Sequence, residues 1–290
     1  MCPLYAASQQ RPRETALAQA AELHRALREN RDDVFQIRTR GDLDRVGSDP
    51  RIGLLLSLEG GEPLEGVLAR VDDFWELGVR LVGLTWNFPN AFAGGIDSPD
   101  DGLTDAGRAL VDRVGELGGL VDLAHASEPT FAEAVERARH VLVSHACCRA
   151  LRDHPRNLSD DQLRALAARG GVLGVMALAL TVGEPGTVER LVDHVDHAVE
   201  TMGIEHVALG ADFIDQVDEL AVARGTRQPR AMDEARRIGG GRLGLRDFQG
   251  PQDYPRLVEA LERRGYAGAD LAAILHGNLL RLLGEALPAD

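Results

Sequence analysis

Four apolar runs, each ending in a residue able to hold or serve a divalent ion, constrain this chain more than any other feature. Residues 52–58 lead into Glu59-Gly60-Gly61, residues 120–124 into His125, and residues 141–144 into His145. A fourth run, from His206 to Ala211, ends on Asp212. The intervening stretches carry apolar residues at helical spacing; residues 14–29, for instance, place Ala16, Leu17, Ala20, Leu23 and Leu27 on one helix face. Strand–helix alternation with short gaps specifies parallel βαβ units. The spacing predicts strands over 52–58, 79–86, 120–124, 141–144, 171–178 and 206–210, with 34–37 as a seventh. Helices are expected over 14–29, 64–77, 104–117, 128–138, 160–168, 188–202, 254–264 and 269–283. Residues 215–253 read as a long loop with some helix.

A (β/α)8 TIM-type barrel suits this pattern best, because every polar candidate falls at the carboxyl end of a strand, the face where barrel sites assemble. A doubly wound sheet gathers its ligands at one crevice and draws on fewer strands. No composition break divides the chain, so residues 1–290 are expected to form a single domain. The barrel counts one strand short, and Met1-Cys2-Pro3-Leu4-Tyr5 reads as the end of a strand already under way. The expected fold is therefore an N-terminally incomplete barrel.

A Glu and two His from separate strands suit Zn²⁺ or a similar ion. Any one of Glu59, His125 and His145 alone would more often be a loop cap or a satisfied core side chain. Three at equivalent strand ends favour a metal, since burying an ionised Glu between imidazoles without a cation is costly. Asp212 either caps the following helix or transfers protons. In the loop after His145, Arg152, His154 and Arg156 include a guanidinium fork suited to a substrate carboxylate; for Arg152 and His154 a solvated loop is the simpler expectation. Cys147 and Cys148 are expected to be small packed residues, because no base accompanies them. His194 and His197 are read as one helix face.

With a formal charge of −14, the chain has no basic excess for a nucleic-acid partner. It has no apolar run of membrane-spanning length. Three cysteines, two of them adjacent, form no disulfide framework and point to a reducing cytoplasm.

Together these segments resemble the renal (membrane) dipeptidase family of zinc peptidases, a branch of the amidohydrolase-like barrels. The resemblance is carried by Glu59-Gly60-Gly61, Leu77-Gly78-Val79-Arg80 with Leu84-Thr85-Trp86-Asn87, and Gly102-Leu103-Thr104 with Gly107-Arg108. It continues in Val121-Asp122-Leu123-Ala124-His125, Ser144-His145, Asp153-His154-Pro155-Arg156-Asn157-Leu158, Gly210-Ala211-Asp212-Phe213 and Gly277-Asn278-Leu279-Leu280-Arg281. It implies two zinc ions bridged by Glu59, with His125 and His145 holding the second. It further implies Arg156 on the substrate's terminal carboxylate, Asp212 as acceptor of a proton from the attacking water, a small dipeptide-like substrate, and admits a homodimer.

The chain departs from the family pattern twice. Trp86 stands where many members have a substrate-facing His, which bears on substrate preference. The family's His-x-Asp upstream of the bridging Glu has no counterpart here, since only His24 precedes Glu59 and it lies in a helical pattern. As written, the chain is expected to hold at most one zinc tightly and to hydrolyse dipeptides poorly or not at all. Two alternatives stand beside the dipeptidase: an amidohydrolase-like enzyme for lactones, cyclic amides or phosphoesters, and a non-catalytic barrel.

Overall fold

A computed structural model describes residues 1–6, 10–214 and 231–289. Its main sheet has seven strands: β1 (Cys2–Leu4), β4 (Leu56–Leu58), β5 (Val79–Gly83), β6 (Leu120–Asp122), β7 (Val141–Ala146), β8 (Val172–Val175) and β9 (Val207–Leu209). They stand side by side in chain order, and the registered pairs among them are parallel. Strands β5 to β8 are buried at every position, as parallel strands covered on both faces must be. The α/β class and the strand–helix alternation are as the sequence implies, and the short strand at Cys2–Leu4 is real.

Three local expectations are corrected. Residues 52–58 are not one strand: β3 (Ile52–Leu54) pairs with β2 (Val34–Gln36) in a separate two-stranded sheet, and only Leu56–Leu58 joins the main one. The segment 34–37 therefore contributes nothing to the main sheet. Its buried Phe35 and Ile37 pack beneath Gly53, with the Arg45 guanidinium 4.2 Å above the Phe35 ring. The helix expected over 64–77 shrinks to Arg70–Glu76, preceded by a 3₁₀ turn at Glu62–Leu64. Glu65 at φ 48° and Gly66 at φ 72° break it, since consecutive left-handed residues cannot continue a right-handed helix. The segment 215–230 lies outside the described residues; after it comes the helix Ala231–Ile238.

By internal packing the chain divides into two compact units. The first comprises Met1–Leu142, Arg169–Gly171 and Leu280–Asp290. Its core includes Leu56, Leu58, Phe74, Leu81, Phe92, Leu110 and Leu120. Helix Asp105–Leu117 is capped by Thr104, whose hydroxyl accepts from the Gly107 N–H, and stops at left-handed Gly118. Such a cap is worth about 1 kcal/mol. Buried Arg80 lies 3.8 Å over the Trp75 ring and donates to the carbonyls of Arg38, Trp75 and Val79. It thereby satisfies backbone acceptors at the end of helix Arg70–Glu76.

The second unit comprises Val143–Ala168 and Val172–Leu279, with Leu163, Leu166, Val192, Val195, Leu257 and Leu261 in its core. Here His194 lies on the buried face of helix Val188–Met202. It is fully buried, its Nδ1 accepts from the Cys148 N–H at 3.1 Å, and its Nε2 lies 3.0 Å from the Val182 carbonyl. His197, one turn on, bonds to Asp160 at 2.8 Å. Cys147 and Cys148 are packed as expected, and burial pushes the Cys147 thiol up to about 12.

Burial holds His194 down to about 4 from its ordinary 6.5, because a protonated ring could no longer accept at Nδ1. A depressed imidazole stabilises the fold above its unfolded value and loses that contribution as pH falls through the folded one. The gap corresponds to roughly 3 kcal/mol. The melting temperature is therefore expected to drop between pH 6.5 and pH 4. His194→Gln, which offers an acceptor and a donor in similar places without titrating, should flatten that drop. An equal acid sensitivity in wild type and variant would refute the assignment. Among the described residues, no helix is long and apolar enough to cross a membrane.

Candidate metal centre

Glu59 is the first residue after β4, and His125 follows β6 by three. His125 sits at φ 67° and Asp212 at φ 54°; they are two of three non-glycine residues with positive φ among the described residues. Side chains in that region cost of order 1–2 kcal/mol, and such strain is a mark of functional positions. His125 Nε2 lies 3.3 Å from Glu59 Oε1. Its Nδ1 is 2.7 Å from Asn87 Oδ1. Against that oxygen Nδ1 must donate, which leaves the lone pair on Nε2, the nitrogen facing Glu59. Asn87 escapes a motif search because its role appears only when the β5 loop meets the β6 loop.

His145 lies within β7, not after it. Its Nδ1 is 2.7 Å from Ser144 Oγ. The backbone around Ser144 is crowded: a Cβ on Gly174 would stand 2.1 Å from the Ser144 carbonyl oxygen, and one on Gly210 would stand 1.9 Å from it. Only glycine allows β8 and the end of β9 to come that close.

Within the first unit, Glu59 and His125 thus bring a carboxylate oxygen and an imidazole nitrogen together; in the second, His145 offers a further imidazole. A tetrahedral ion with bonds of about 2.1 Å spaces its ligands about 3.4 Å apart; the 3.3 Å between His125 and Glu59 meets that. A carboxylate and two imidazoles whose outer nitrogens are already engaged is the donor set that divalent zinc-like ions take. The residues present thus fit a divalent metal.

Trp86 follows β5 by three residues and tilts against His125, ring centroids 5.6 Å apart. Tyr5 and Phe88 pack on it, each 5.4 Å away. In the second unit Arg156 is buried, and its Nη2 reaches the His145 carbonyl at 3.4 Å. Its own N–H donates to His154 Nδ1 at 3.2 Å. His154 is not in a solvated loop; burial first, then the charge of Arg156, holds it down to about 4. Arg152 is likewise engaged, with Glu234 at 2.8 Å. The Asp212 carboxyl is raised by burial, an effect the Arg156 charge opposes.

This arrangement has close fold relatives among solved structures. An amidohydrolase from Pseudomonas aeruginosa superposes with a TM-score of 0.84 at 23% identity, over 94% of this chain and 85% of that one. A metallopeptidase from Rhodobacter sphaeroides, liganded with a phosphinate mimic of the dipeptide L-Ala-D-Ala, superposes at 0.82 with 24% identity, over 98% of this chain and 77% of that one. At such identities the likeness shows a shared fold alone. The family comes from sequence: residues 3–225 match the model of the membrane dipeptidases, peptidase family M19, and the chain belongs to that family. It is 34% identical over 258 residues to an uncharacterised protein of the pqqA 5′ region in Klebsiella pneumoniae, covering 83% of this chain and 85% of that protein. It is 30% identical to rat dipeptidase 3 over 83% of this chain, but spans only 46% of that protein's length.

Proposed function

We propose that this chain is a zinc-dependent dipeptidase, with Glu59, His125 and His145 as metal ligands. The 3.3 Å approach of His125 Nε2 to Glu59 Oε1 is the observation that carries the proposal, and membership of the dipeptidase family supports it. A bound divalent ion supplies Lewis-acid polarisation of a carbonyl and acidifies water. The chain's own residues do the rest. Arg156 grips the substrate's free carboxylate with a bidentate fork. Asp212 takes a proton during attack of water on the peptide carbonyl; burial raises its basicity toward that task. Trp86, with Tyr5 and Phe88 behind it, offers an aromatic wall to the substrate beside His125.

The proposal takes residues 1–290 as one barrel-type domain, supported by seven strands in chain order. A reducing, cytoplasmic setting accords with free Cys2, Cys147 and Cys148.

The test is an activity panel on purified protein supplied with Zn²⁺. The hydrolysis expected, weak because no His-x-Asp precedes Glu59, is of dipeptides with a free C-terminal carboxylate; chelator should stop it, while C-terminally amidated dipeptides, lactones and phosphotriesters are spared. Loss of a charge-assisted pair worth about 1.5–3 kcal/mol gives Arg156→Met a KM for free-carboxylate dipeptides roughly 10–150-fold higher. Faster turnover of a lactone or phosphotriester than of any dipeptide would assign the site to another hydrolase.

A further inference from the structure

We infer that Glu62 is a positioning residue for the metal centre, an inference that rests on the metal-ligand role of Glu59. Glu62 opens the 3₁₀ turn immediately after Glu59-Gly60-Gly61. Its carboxylate is folded back over that motif: a Cβ on Gly60 would lie only 2.0 Å from Glu62 Oε2 and 3.1 Å from the Trp86 nitrogen. Gly60 holds φ 106°, a conformation that leaves its Cα bare on the side where the carboxylate rests.

Glu62 Oε1 accepts from Asn90 Nδ2 at 3.2 Å, and the same amide donates to the Leu84 carbonyl at 2.8 Å. The Gly61 N–H reaches that carbonyl too, at 3.2 Å. Asn90 Oδ1 in turn accepts from the N–H groups of Phe92 and Ala93, at 2.8 and 3.2 Å. The loop that carries Trp86 and Asn87 is thereby tied through one amide and one carboxylate to the turn that carries Glu59. Since Asn87 orients His125, two of the three candidate ligands are fixed by the same connected network.

The burial is unusual for a group with no metal role. Glu62 Oε2 is enclosed without a hydrogen bond of regular geometry, approached only by the backbone N–H groups of Glu62 and Trp86. An enclosed carboxyl of this kind costs free energy that an apolar residue of equal size would not. What the carboxylate supplies instead is a fixed separation between the Gly60 backbone and the Leu84–Asn90 loop, which sets the direction of Glu59.

The experiment measures Co²⁺ binding to the full chain, by its visible absorption and by competition with a chromophoric chelator, alongside thermal unfolding. Outer residues of metal sites typically govern 10–100-fold in affinity. Glu62→Ala is expected to weaken Co²⁺ binding by about that factor and to alter the absorption band at temperatures where the protein remains folded. Glu62→Gln, which keeps the shape and one acceptor oxygen, should restore affinity to within about threefold of wild type. If the alanine variant fails to fold, Glu62→Leu fills the same space without an acceptor and is expected to lose affinity equally. A lowered melting temperature with unchanged Co²⁺ affinity and spectrum would reduce Glu62 to a packing residue and overturn the inference. Wild-type protein that binds no Co²⁺ would instead overturn the metal assignment and this inference with it.

Discussion

His145→Ala is expected to strip the metal and to lower kcat/KM for dipeptides by about 10³-fold or more. The magnitude follows from losing several kcal/mol of transition-state stabilisation at 1.36 kcal/mol per decade. His145 is the cleaner of the two histidines to remove, because it occupies a regular strand position in β7. At His125 the backbone has φ 67°, a conformation that histidine adopts more readily than alanine, so alanine there adds a backbone effect to the loss of a ligand. His125→Asn tolerates the left-handed conformation and separates the two effects. Metal content after dialysis and steady-state kinetics are the measurements. Stoichiometric metal and near-wild-type turnover in His145→Ala would remove the ligand set and the dipeptidase assignment with it.

Asp212→Asn is expected to lower kcat by about 10²–10⁴-fold, the usual contribution of a positioned proton acceptor, while leaving metal content intact. Asparagine is the least disruptive replacement at φ 54°, so the variant tests the carboxylate and not the backbone. Burial raises the Asp212 carboxyl, with Arg156 pulling the other way. Since only the ionised form accepts a proton, activity should rise with pH as Asp212 ionises, and the asparagine variant should lack that limb. Loss of metal in Asp212→Asn would make the residue a ligand; unchanged kcat would leave it a strained loop position.

The two substitutions fail differently by design. A ligand variant loses metal and rate together, whereas the proton-acceptor variant loses rate alone. Arg156→Met belongs to a third class, raising KM for substrates that carry a free carboxylate.

How the site was legible differs residue by residue. Glu59, His125, His145 and Asp212 could be found because period and position coincide: an apolar run predicts a buried parallel strand, and the first polar residue beyond it must emerge at the strand's end. Trp86 was legible only through likeness to the dipeptidases, since a lone Trp after a strand has no signature of its own; Arg156 was legible in its loop as one of two guanidinium candidates, and the likeness singled it out. Asn87 and Ser144 were legible only as members of the resembling segments, with no role attached, and Glu62 and Asn90 left no readable trace. Each acts through one hydrogen bond to a partner whose place is set by another part of the chain. Even Ser144, next to its partner in sequence, needs the strand geometry to bring Oγ to Nδ1.

The same division explains the misread elements. Residues 52–58 have uniform apolar character, so nothing local shows that Ile52–Leu54 pairs with Val34–Gln36 while Leu56–Leu58 joins another sheet. His194 was legible only as part of a helix face; its burial goes with the Cys148 and Val182 backbone groups it serves. By itself the sequence determined the α/β alternation, the strand ends and the residue types delivered there, because hydrophobic period is a local property. Tertiary structure alone decided which strands pair, which imidazole nitrogen is left to face Glu59, and which buried groups hold the ligands still. Those are distances between residues far apart in the chain, and no local pattern encodes a distance.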